Sequence, residues 1–60
     1  MPFEAILREV DQLRRVSTRL EALAEQHPPV SAALITIAGT VRNAAAILEL
    51  LVATQGPKLI

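Results

Sequence analysis

The sequence has no cysteine, no tryptophan and no tyrosine, a single phenylalanine, two glycines and no excess of either charge sign. Each shortage excludes something. Without cysteine there is neither a disulfide framework nor a thiolate metal site, and a reducing, cytoplasmic setting is expected. Six basic and six acidic side chains cancel, so no net field draws the chain to nucleic acid or to anionic lipid. The one histidine, His27, cannot complete a nucleophilic triad without a cysteine or a placed serine. Glycine occurs only at Gly39 and Gly56, so there is no glycine-rich phosphate loop. A pair of carboxylate helices holding two metal ions would use Glu-x-x-His, which does not occur. The expectation is a non-catalytic chain with no cofactor and no metal.

What remains is a short aliphatic chain. Its 60 residues, 52% of them hydrophobic, bound a single domain over 1–60. The opening stretch Met1–Gln12 carries acids where a secretory leader has its basic region, and has no apolar core segment. No leader is expected.

Helix breakers divide the chain. Prolines stand only at Pro2, Pro28, Pro29 and Pro57. Between Pro2 and His27 the residues are mostly good helix formers, and Pro2 suits a first helical turn. Pro28 biases His27 away from helical dihedrals, so the spacing predicts helix 1 over about 2–26. Pro29 can open helix 2, and Gly56 followed by Pro57 is a stop signal, which predicts helix 2 over 29–55. The bend at 27–28 and the tail at 56–60 complete the reading. So short a connection makes the helices antiparallel neighbours: an all-α helical hairpin.

The periodicity nominates the buried faces. In helix 2, Val30, Leu34, Ile37, Val41, Ala44, Leu48 and Leu51 alternate in steps of four and three, a heptad seam. Ala38, Ala45 and Val52 widen it on one side, Ala33 and Ile47 on the other. Helix 1 offers Phe3, Ile6, Val10, Leu13, Leu20 and Ala24, with Ser17 interrupting the seam. Folding at the bend is expected to place Val10 against Ala44 or Ala45, Leu13 against Val41, Leu20 against Leu34 and Leu23 against Val30. A second stripe on helix 2, Ala32, Gly39, Ala46 and Ala53, repeats every seven residues, with Ile35 and Leu50 beside it. Gly39 is its telling member, because glycine in a helix interior costs about 1 kcal/mol relative to alanine. That stripe is the candidate second interface.

Pro28–Thr54 carries only Arg42 and Glu49 as formal charges, and about 20 apolar residues suffice to span a bilayer. Arg42 lies at the midpoint, however, and a central charge costs about 2.5–3.5 kcal/mol on insertion scales. No membrane span is expected. A two-helix hairpin leaves most of its aliphatic surface wet, so the expected solution is association with a second chain. A dimeric four-helix bundle is the simplest closed form. The partners foreseen are the chain itself, as dimer or tetramer, or a helix of another protein. The alternative is an RNA- or DNA-binding hairpin dimer using Arg8, Arg14, Arg15 and Arg19. Against it, helix 1 carries more acids than arginines, whereas such surfaces need a clear basic excess.

Overall fold

The computed structural model describes residues 3–55. They form two long α-helices: α1 spans Phe3–Gln26, 24 residues, and α2 spans Ser31–Gln55, 25 residues. The two lie antiparallel, as the bonds between them show: Ser17 reaches Ala38, Glu21 reaches Arg42 and Arg14 reaches Glu49. No strand occurs among the described residues. The expected roles of Pro2 and of the Gly56–Pro57 stop lie outside the described residues.

The connection differs from expectation in one respect. Pro29 does not open α2; Pro28–Val30 form a single 3₁₀ turn, and the α-helix begins at Ser31. The prolines explain this. Neither has an N–H to give, so the first available donors are Val30 and Ser31. Val30 N–H donates to the His27 carbonyl at 3.0 Å and Ser31 N–H donates to the Pro28 carbonyl, the tighter three-residue spacing of a 3₁₀ turn. His27 itself sits at φ −132°, ψ 75°, outside the helical region as its following proline demands. Its N–H still donates to the Leu23 carbonyl at 3.0 Å and closes the last turn of α1.

The seam between the helices obeys a strict heptad. In α1 it comprises Phe3, Ile6, Val10, Leu13, Ser17, Leu20 and Ala24; in α2 it comprises Ser31, Leu34, Ala38, Val41, Ala45, Leu48 and Val52. These are the described residues that are buried or half-buried, with Glu21 the single addition. Naming Phe3, Val10, Ser17 and Ala24 as position a makes Ile6, Leu13 and Leu20 position d. In α2 Ser31, Ala38, Ala45 and Val52 take a, and Leu34, Val41 and Leu48 take d.

The expected seam of α2 is therefore rotated by about half its width. Leu34, Val41 and Leu48 are in it, but Val30, Ile37, Ala44 and Leu51 are exposed, and Ser31, Ala38, Ala45 and Val52 take their places. Size decides this. The fully buried positions Ser17, Ala24, Ala38 and Ala45 are small, and small residues let two helix backbones approach closely. Facing the bulkier Val30–Ile37–Leu51 row toward α1 would hold the backbones apart. Ser17, read as an interruption, is part of the same solution. It is 0% exposed and its hydroxyl donates to the Ala38 carbonyl at 2.9 Å. A buried hydroxyl is thereby satisfied, and the bond fixes the register. One heptad outward on either side, Val10 stands level with Ala45 and Ala24 level with Ser31.

Candidate interaction surface

The two flanks of this seam differ in chemistry. At position e, α1 carries Leu7, Arg14 and Glu21, and α2 carries Ile35, Arg42 and Glu49. In an antiparallel pair e faces e. Arg14 pairs with Glu49, and Arg42 Nη2 lies 3.1 Å from a Glu21 carboxylate oxygen. Both charges of α2 among the described residues are thus used across the hairpin, on one side. Neither pair was foreseen from the sequence. The signal was available: Arg14 and Glu21 are seven apart, as are Arg42 and Glu49.

At position g the character reverses. α1 presents Glu9, Val16 and Leu23, and α2 presents Val30, Ile37, Ala44 and Leu51. The Ser17–Ala38 register brings Leu23 within a turn of Val30, Val16 within a turn of Ile37 and Glu9 within a turn of Ala44. All are exposed, Ile37 by 50%. Ile47, 64% exposed, borders the strip at position c. The result is a continuous aliphatic strip along one flank, with one acid in it. Monomeric proteins rarely expose contiguous apolar surface on this scale.

The small-residue stripe occupies position b, next to the charged flank. Ala32, Gly39, Ala46 and Ala53 are exposed, as are Ile35 and Leu50 beside them. A methyl group added at Gly39 would meet no atom within 4 Å. Nothing in the hairpin itself requires glycine there. The threonines of the outward surface of α2 bond their own helix: Thr36 donates to the Ala32 carbonyl at 3.0 Å, Thr40 to Thr36 at 3.2 Å and Thr54 to Leu50 at 2.9 Å.

The remaining expected contacts are the arginines. Arg14, Arg15, Thr18 and Arg19 line a shallow, open depression of about 370 Å³. Two of its arginines are engaged, Arg14 with Glu49 and Arg15 with Asp11 at 2.8 Å. Arg8 and Arg19 have no ion-pair partner among the described residues. Among the described residues no three His, Cys, Asp or Glu side chains cluster as metal ligands would. Pro28–Gln55 is long and apolar enough to cross a membrane by length and composition, with mean hydropathy 1.5. No protein-family model matches the sequence, and no curated protein or solved structure matches it either.

Proposed function

We propose that the chain is a small, non-catalytic self-associating module that works through aliphatic helix faces, completing its core as a four-helix bundle with a second copy. The observation that carries this reading is the exposed strip at position g. Within one hairpin the fully buried residues are Val10, Ser17, Ala24, Ala38 and Ala45. Four of the five are alanine or serine, whose burial removes little apolar area from water. At about 25 cal/mol per Å² so narrow a seam cannot offset roughly 1.5 kcal/mol of conformational entropy per ordered residue. Covering the strip with a second copy converts Val16, Leu23, Val30, Ile37 and Leu51 from a cost in water to a core.

The same observations weigh against a membrane hairpin. Arg42 and Glu49 are placed to pair with α1, and α1 presents Glu4, Arg8, Asp11 and Arg15 on its outer face, a band of charge that lipid would have to accommodate. They weigh against nucleic acid too, since two of the three arginines lining the basic depression already hold carboxylates. The test is solution mass by light scattering over a concentration series, using refractive index because the chain has no Trp or Tyr. Flotation with neutral vesicles and binding to duplex RNA run alongside. A mass of two chains or a small multiple, with no vesicle or RNA binding, is the expected result. A folded monomer whose melt is independent of concentration, or quantitative partition into vesicles, overturns the reading. RNA binding that falls steeply with salt would favour the nucleic-acid alternative instead.

A further inference from the structure

The strip at position g carries information about orientation as well as apolarity. It is about 33 Å long, 22 residues at about 1.5 Å each, and about 20 Å wide, two helices at about 10 Å apiece. That is roughly 700 Å², close to the about 800 Å² per partner of a standard stable interface. A second copy therefore fits it without remainder.

Two two-fold arrangements bring strip onto strip. With both turns at the same end, α1 of each copy lies against α2 of the other. Glu9 then stands over the Ala44 region of α2, whose charges Arg42 and Glu49 are on the far flank and already paired with α1. The acid is buried against aliphatic surface with no cation near it, which is costly. With the turns at opposite ends, α1 lies antiparallel to α1 and α2 to α2. Full overlap of the α2 rows, Val30 over Leu51, then puts Glu9 opposite Leu20 of the second copy, beside Arg19 of that copy. Glu9 lies in the strip on α1 and Arg19 borders it at position c, and neither has an ion-pair partner among the described residues. They are ten residues apart, about 15 Å along one helix, too far to pair within a chain. The two-fold axis pairs them twice. It also sets Ile37 against Ala44, large on small, as close packing needs.

We infer that the strip is the docking face for a second copy of this chain lying antiparallel to the first, turns at opposite ends, with Glu9 of each copy paired to Arg19 of the other. This rests on the self-association reading, and the experiment separates the two. Glu9 and Arg19 are exposed in the hairpin, so changing them leaves its seam intact. Glu9→Arg and Arg19→Glu should each weaken dimerisation about tenfold, since two exposed pairs are replaced by repulsion at once, and the double variant should recover the original affinity. The chain has no cysteine, so single thiols can be introduced cleanly near the axis, at Gln12→Cys and at Thr40→Cys. A short bismaleimide should link each variant to itself. Self-linking with rescue by the double charge reversal is the expected outcome. Linking only between Gln12→Cys and Thr40→Cys chains when they are mixed would place the turns at the same end and overturn the inference, leaving self-association standing. A dimer indifferent to both charge changes and to Ile37→Asp would overturn the face itself. A wild-type chain that stays monomeric removes the self-association reading beneath it.

Discussion

Replacing Ser17 with leucine should destabilise this protein, although leucine is the more usual residue for a heptad core. Simple transfer arithmetic points the other way: a fully buried leucine side chain is worth about 1.5–3 kcal/mol, and leucine is a better helix former than serine by a few tenths of a kcal/mol. The structure denies that gain. Ser17 is 0% exposed, and its hydroxyl lies 2.9 Å from the Ala38 carbonyl, at a level where α2 offers only the 0% exposed Ala38. A leucine there would have to push the two backbones apart. Overpacking costs about 1–3 kcal/mol and the lost hydrogen bond about 1 kcal/mol, and separation opens the neighbouring levels at Val10–Ala45 and Ala24–Ser31 as well. The net expectation is a loss of about 2 kcal/mol, or roughly 10 °C in Tm for a domain of this size. Ser17→Ala is the control. It forgoes the same bond, but the Ala38 carbonyl keeps its acceptor role in the ladder of α2, and alanine regains about 0.5 kcal/mol of helix propensity, so Tm should move by only a few degrees. The assay is thermal circular dichroism at matched protein concentration, because association makes Tm concentration-dependent. A Ser17→Leu protein that melts above wild type would show that the backbones are not in close approach at this level, and would refute the register built on the Ser17–Ala38 bond.

Three further outcomes are expected. Gly39→Ala should raise stability by about 1 kcal/mol with unchanged solution mass, since an added methyl meets nothing within 4 Å in the hairpin; a lower Tm with reduced mass would instead put a further helix on the Ala32–Gly39–Ala46–Ala53 stripe and make the assembly larger than a dimer. Leu48→Ala should cost about 2 kcal/mol, at the low end of the range for buried leucine, because Leu48 is half-buried in the hairpin, and Val41→Asp should abolish folding; a melt unaffected by Val41→Asp would remove position d from the core. Reversing both members of the pair, Arg14→Glu with Glu49→Arg, should leave Tm within a few degrees of wild type, since exposed pairs are worth about 0.2–1 kcal/mol, while either reversal alone should lower it measurably in low salt but not in high salt.

The hairpin was legible in the sequence because its determinants are local. Prolines at 28 and 29 and an otherwise unbroken run of helix formers before His27 leave few alternatives for the backbone. The rotation of α2 about its own axis was not legible from apolar spacing, because α2 is aliphatic nearly all the way round. Rows headed by Val30 and by Ser31 both repeat every seven residues, and hydrophobicity alone prefers the bulkier row. Steric closeness prefers the smaller one, and that preference becomes visible only when α1 is considered with it: Ser17 and Ala24 are small too, and small seams pair with each other. The ion pairs were hidden for a related reason. Arg42 and Glu49 look like isolated defects in an apolar run until the register brings Glu21 and Arg14 opposite them. Of the candidate site residues, Phe3, Ile6, Val10, Leu13, Leu20, Leu34, Val41 and Leu48 lie in the intrachain seam, whereas Ile37 and Leu51 lie on the open strip.

The two cross-hairpin ion pairs also govern which wrong pairings the chain rejects. Along each helix the order is the same, arginine first and glutamate seven residues later: Arg14 then Glu21, Arg42 then Glu49. Run head-to-head, this order matches each cation with an anion. Run side by side in the same direction, with the heptads aligned, position e faces g instead, so Arg14 and Glu21 would lie against Val30 and Ile37, and Arg42 and Glu49 against Val16 and Leu23. Chains meeting during synthesis, while the bend is still unformed, can sample such same-direction dimers of α1 with α2, which the aliphatic seams alone would tolerate. Every such encounter leaves those four charges without partners beside aliphatic side chains, and charges flanking the seam guide partner choice in coiled coils generally. The polarity of the hairpin is thus written into the charges as well as into the bend, and a chain whose bend is lengthened or relaxed should still return to the same pairing.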